Sequence, residues 1–285
     1  MPGRGIPNIF DHNMKYLFLL SGAILLLLSA CKSDNKSAGD QPGIHNDTRS
    51  LLAGHWVAMD FCRRANQYGS VLNAMKFSHV PYAYALTFDP NRPDSVICYN
   101  GMERWTLPVK FNADTIEMVG ARPGKSVFLV YHSQGKKDMS MFDGTTGQVY
   151  LDNFVKSKSD VGNGYAAFTL ALHHNLFSGV FGEIGKGAAS KQEIQFNPDG
   201  FIINWKPYDV YAVCTAGDCF VMDNDMDVIT LAKSADVNTQ KMYGFKYSAQ
   251  NDTLTLYNIA DPTPEEKGGY VTKGVAYRFF RKKSQ

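Results

Sequence analysis

From Tyr82 onward, apolar and polar residues alternate in short runs, each stopped by turn-forming residues. Tyr82–Phe88 ends at Asp89-Pro90-Asn91, and Ser95–Tyr99 ends at Asn100-Gly101, the strongest short hairpin signal. Arg104–Phe111 stops at Asn112-Ala113-Asp114. The series continues through Thr115–Val119, Ser126–His132, Asp138–Phe142 and Gln148–Phe154. It resumes with Leu176–Ile184, Glu193–Asn197, Phe201–Trp205, Asp209–Cys214, Cys219–Met222, Met226–Ala232, Lys241–Ser248, Thr253–Ile259 and Gly274–Arg281. Successive side chains on a strand point to opposite faces, so this period predicts antiparallel strands in a sandwich or barrel, not a parallel α/β sheet.

Two stretches break the rhythm. Ala65, Tyr68, Val71, Leu72 and Met75 lie near helical spacing within Arg63–Phe77, which predicts one short helix after a first strand at Leu51–Val57. Tyr165–His174 is apolar and reads equally as helix or strand, and polar Lys156–Gly164 reads as a boundary. The predicted fold class is mainly β: an antiparallel barrel, either one large barrel or two similar small ones, with an N-terminal β half at 51–158 and a C-terminal one at 165–285. The halves answer each other weakly. Leu52-Ala53-Gly54 matches Phe177-Ser178-Gly179, Phe88-Asp89-Pro90-Asn91 matches Phe196-Asn197-Pro198-Asp199, and Asp114-Thr115-Ile116 matches Asp252-Thr253-Leu254. Antiparallel proteins also reuse such turn chemistry without duplication.

Ahead of these strands stands a different pattern. Lys15 precedes an apolar run, Tyr16–Leu28, broken only by Ser21 and Gly22. A span takes ~20 apolar residues, so the run reads as an export signal over residues 1–30, with Met14 the expected start. Leu28-Ser29-Ala30-Cys31 resembles the bacterial lipobox, which implies a lipid on Cys31 and an envelope address, with the outer membrane the expected one. Two or more acyl chains anchor stably. Residues 31–50 are small and polar and read as a lipidated, flexible tether.

Composition narrows the function. The chain has 29 Lys and Arg against 27 Asp and Glu; without residues 1–30, which hold Arg4, Lys15 and Asp11, 27 face 26. Nucleic-acid binders carry a stronger basic footprint, so that partner class is set aside. Cys62, Cys98, Cys214 and Cys219 follow Cys31, and an even number in an exported chain permits disulfides. Cys214 and Cys219 flank a four-residue turn and are the favoured pair; Cys62 and Cys98 are the second candidates.

Motifs that carry chemistry are weak. Gly120–Ser126 nearly spells a phosphate loop, but it is one residue short and β-like residues follow it, so it reads as a turn. Asp223–Asp227 opens like a calcium loop, but Val228 and Ser234 stand where Gly and Glu are needed, so it reads as a solvated turn. His173-His174 reads as satisfied or exposed histidines, not a metal site. No catalytic residue, metal or cofactor is assigned; Asp60, His79 and His132 would matter only if one cleft gathered them. Asp94-Ser95-Val96, Asp114-Thr115-Ile116 and Asp252-Thr253-Leu254 resemble an Asp-Ser/Thr-apolar O-glycosylation signal, which makes Ser95, Thr115 and Thr253 candidates.

Leu52-x-Gly54-His55-Trp56 is similar to the Gly-x-Trp opening of lipocalins and lipocalin-like lipoproteins. The resemblance implies that Gly54 and Trp56 close one barrel end, with a basic residue of the last strand, Arg278 or Arg281, packed over the Trp. It implies a small or lipophilic ligand, with Trp56, Trp105 and Trp205 the expected ligand-binding aromatics. The other expectation is a structural or assembly lipoprotein that docks a protein partner through a β edge or aromatic patch.

Overall fold

The computed structural model describes residues 46–101, 103–144, 149–159, 161–185, 189–216, 226–260 and 269–282. The stretch expected to be an export signal, Cys31 and Cys219 lie outside them. The first part runs α1 (Asn46–Leu52), β1 (Gly54–Ala58), α2 (Met59–Tyr68), α3 (Val71–Lys76), β2 (Ala85–Phe88), β3 (Ser95–Asn100), β4 (Glu103–Asn112), β5 (Thr115–Arg122), β6 (Lys125–His132), β7 (Asp138–Asp143) and β8 (Val149–Lys156). After α4 (Gly164–Leu176) come β9 (Gly179–Ile184), β10 (Ala189–Phe196), β11 (Ile202–Ile203), β12 (Val210–Val213), β13 (Asp227–Lys233), β14 (Asp236–Ser248), β15 (Thr253–Ala260) and β16 (Val271–Arg281).

Strands β1 to β8 form a closed antiparallel barrel in chain order. Closure comes from β1 pairing with β8, Trp56 opposite Lys156, Val57 opposite Val155 and Ala58 opposite Phe154. The other eight strands form a second antiparallel sheet, β11-β10-β9-β16-β15-β14-β13-β12. It nearly closes where a lone bridge joins Phe201 to Val210. So two barrels, not one large one, carry the alternation. Val96, Cys98, Met118, Leu129, Met139 and Phe154 are buried on the first. Phe181, Phe196, Tyr211, Phe245 and Phe279 are buried on the second.

The two barrels share a closing device. Gly54 and Gly179 both have positive φ, 116° and 145°, and each stands two residues before a buried aromatic, Trp56 and Phe181. A cation from the eighth strand covers that ring: Lys156 Nζ lies 5.8 Å from the Trp56 ring, and the Arg281 guanidinium 5.4 Å from Phe181. Of the three sequence pairs, two occupy equivalent places, entering the first strands (β1, β9) and leaving the second (β2, β10). Asp114-Thr115 and Asp252-Thr253 do not: they open the fifth strand of one barrel and the seventh of the other.

Tyr165–His174 resolves as helix. α4 is apolar over most of its surface because it packs against both barrels, with His174 left exposed. Phe168 stacks on Tyr84 of the first barrel, centroids 4.7 Å apart. One and a half turns later the His173 ring lies 4.5 Å from Tyr211 of the second. The helical stretch after β1 is two helices, α2 and α3. Gly69 ends α2 with φ 61°, and a Cβ there would fall 1.9 Å from the Tyr247 carbonyl oxygen of the second barrel. Only Gly permits that approach.

Candidate functional site

The three tryptophans are not brought together. Trp56, on β1, is buried and donates its indole N–H to the Leu52 carbonyl at 2.7 Å. Trp105, on β4, donates to Tyr82 Oη at 3.1 Å. Trp205 is buried in the second barrel among Phe196, Tyr208, Tyr277 and Phe279. Arg278 does not cover Trp56. It is exposed on β16 opposite Thr255, because β16 closes on β9 and each barrel supplies its own cation.

The cavities that suit a ligand lie at the wall of the first barrel. Val57 and Val155 are a registered pair, next in sequence to the inward pair Trp56 and Lys156, so they face outward. α4 lies across them. Between the two runs a groove of about 500 Å³, within the range of small-molecule sites, floored by Val57, Met59 and Val155 and walled by Leu170 and Ala171. Lys156, Lys158 and His174 stand on its border. On the other side of the Val155–Lys158 segment is a cavity of about 330 Å³ over Trp56 and Tyr131, bordered by Lys136, Lys137, Lys156 and Lys158. Lys156 Nζ donates to the Leu51 carbonyl at 2.9 Å, and partial burial lowers its pKa. The groove can hold an apolar body, and the lysines can hold an anionic end.

This site was not legible in the sequence. Lys156–Ser159 reads as a polar boundary, and Leu170 and Ala171 belong to a helix that is apolar over most of its surface. The one available signal was the alternation of Val155 with Lys156 and Lys158.

The titratable groups considered for catalysis do not gather. His132 lies on the exposed side of β6, its ring nitrogen 3.0 Å from Ser140 Oγ. Asp60 belongs instead to a strut. Its backbone N–H donates to Asp152 Oδ1 at 3.0 Å, while Arg64 donates to Asp152 Oδ2 at 2.8 Å and to the His79 carbonyl at 3.0 Å. Burial pushes Asp152 up to about 7, against the pull of Arg64. The result pins α2 to β8.

Cys62 and Cys98 are free buried thiols, so the pairing allowed by the even count is not made. Cys62 sits on α2, whereas Cys98 shares the buried face of β3 with Val96. Burial raises both, Cys98 to about 12. Cys214 is disulfide-bonded. His173 is buried, its Nδ1 bonded to the Pro198 carbonyl and its Nε2 accepting the Val213 N–H, which leaves no lone pair for a metal. Burial lowers it to about 4. His174, beside it, is exposed. Gly120–Ser126 is the β5–β6 hairpin, with Arg122 opposite Lys125. Asp227 is not in a solvated turn: it is buried and accepts the N–H groups of Val71 and Leu72.

Comparison with family models, curated proteins and solved structures found no match to this chain.

Proposed function

We propose that this chain is a membrane-anchored, lipocalin-like lipoprotein, lipidated at Cys31, that holds a small lipophilic ligand at the cell envelope. The observation that carries the reading is the apolar groove between β1, β8 and α4, bordered by Lys156, Lys158 and His174. Its size and composition suit an amphiphile with one acidic end. The site lies on the barrel wall instead of in the interior, which large side chains fill.

The test is photo-crosslinking. The full chain in neutral nanodiscs is exposed to a diazirine-bearing fatty acid, and adducts are mapped by mass spectrometry. Adducts on Val155–Ser159 and Ala167–Asn175 are expected, and Ala171→Trp, which fills the groove, is expected to remove them. Adducts confined to other segments, or unchanged by Ala171→Trp, defeat the reading.

A second reading, docking of a protein partner, is favoured by the seam of the second barrel. Phe201 and Ile203 are 51% and 44% exposed there, beside a strand only two residues long. Such an edge can accept an added strand. A photoreactive residue at position 203 that captures one partner in cells supports it, and capture of none removes it.

A further inference from the structure

The cavity over Trp56 adds Lys136 and Lys137 to the Lys156 and Lys158 that also border the groove. Lys136, Lys137 and Lys158 are exposed around it, Lys156 completes the ring, and no carboxylate lines it. Among the described residues none of the four is in an ion pair, although carboxylates elsewhere pair with Arg49, Arg63, Arg64, Arg122 and Lys282. The net charge of the chain is only +2, so this concentration of cations is local. The same cavity is lined by Leu51, 44% exposed, at the end of α1. Residues 32–45 therefore join the fold through the helix that borders the lysines.

We infer that this end of the first barrel rests on an anionic lipid surface, with Lys136, Lys137 and Lys158 against headgroup phosphates and Leu51 toward the bilayer. The inference rests on the lipid-anchor reading for its geometry. A lipid on Cys31 stands fifteen residues ahead of Asn46 (46 − 31), where α1 begins, and a connection of that length reaches at most about 50 Å, which keeps the anchored chain's lysine face near the headgroups. Lysines near an anionic surface each add about fivefold to partitioning, and their stems cover apolar surface while the ammonium stays wet. The occupant is a bilayer because the lysines come from two separate segments, 136–137 and 156–158, around a cavity that also carries the exposed apolar Leu51. Lys158 also borders the groove. The groove then opens beside the lipid, and a lipophilic ligand can enter it without crossing bulk water.

The test is amine footprinting of the full chain on vesicles, read by mass spectrometry. On phosphatidylglycerol-containing vesicles, labelling of Lys136, Lys137 and Lys158 is expected to slow about fivefold relative to pure phosphatidylcholine vesicles. Lys246 and Lys273 of the second barrel are expected not to change. Equal labelling on both vesicles, or protection of Lys246 and Lys273 instead, overturns the inference. Protection by millimolar inorganic phosphate without lipid also overturns it, because the site would then be one for a free anion. The mass of the Cys31 peptide reports the anchor separately. A bare Cys31 removes the anchor reading, while the labelling contrast on the same vesicles still decides whether the lysine face meets lipid.

Discussion

Asp227 Oδ1 accepts the backbone N–H of Val71 at 2.8 Å and of Leu72 at 2.9 Å, so a strand of the second barrel caps a helix of the first. Ser70, the N-cap of α3, accepts the Asn73 N–H beside it. With Gly69 packed on the Tyr247 carbonyl, these contacts join the two barrels at the end of α2.

Asp227→Ala strands two buried donors. It is expected to destabilise the chain by about 2–3 kcal/mol and lower the melting temperature by roughly 5–10 °C. Asp227→Asn keeps the acceptor and is expected to recover most of the loss. Burial raises the Asp227 pKa. Thermal melts of both variants decide this, and equal losses would show that charge, not acceptance, holds the joint.

Asp152 and His173 set opposing pH dependences. Asp152 is raised from 3.8 to about 7, so its contribution is fully present below about pH 3.8 and is lost as pH rises through 7. His173 is lowered from 6.5 to about 4, so its contribution is fully present above about pH 6.5 and is lost as pH falls through 4. Between those limits the two slopes offset. Asp152→Asn is expected to make the melting temperature climb more steeply as pH rises from 4.5 to 6.5, and His173→Gln to make it fall, at the roughly 1.4 kcal/mol per pH unit that one proton sets as a ceiling. Melts across that range that run parallel in all three chains would refute the pair.

The cations over Trp56 and Phe181 are expected to act alike. Lys156→Ala and Arg281→Ala should each cost about 1–2 kcal/mol, from the cation–π contact and the packing of the stem. The losses should add in the double variant, since the two share no partner. Gly54→Ala is expected to cost about 1–3 kcal/mol, because φ there is 116° and the new Cβ would stand 3.2 Å from Lys156 Cε. Denaturant unfolding measures all four chains.

Ser95, Thr115 and Thr253 each stand at the start of a strand and are half-buried. Each hydroxyl bonds within its own turn: Ser95 to the Arg92 carbonyl, Thr115 to Asp114 and Thr253 to the Asn251 carbonyl. Peptide mass spectrometry of the native protein is expected to find a glycan on at least one. Bare peptides at all three would end the expectation.

Local chemistry made the strands readable. Asn100-Gly101 and Pro198-Asp199-Gly200 turn where the sequence says they should, and Gly101 and Gly200 have φ of 60° and 91°. Closure was not readable, because the partners Trp56 and Lys156 are far apart in the chain and no local pattern names them. Lys156 and Lys158 looked like a linker because charge usually marks solvent. Asp227 looked solvated because it ends an acidic run, yet it reaches the first N–H groups of α3. The groove combines residues from four elements, β1, α2, β8 and α4, and no one of them is unusual by itself.

Helix α4 lies between the barrels in the chain as well as in space, and this constrains how the protein can be divided. A fragment ending at Lys158 leaves Tyr84 and Phe61 without Phe168, their neighbour at 4.7 and 6.2 Å. A fragment beginning at Gly179 takes from the second barrel Phe177, which packs against Phe196, Tyr211 and Phe245. The helix packs against both pieces at once. Each barrel can be cut free only by leaving the other with an open side.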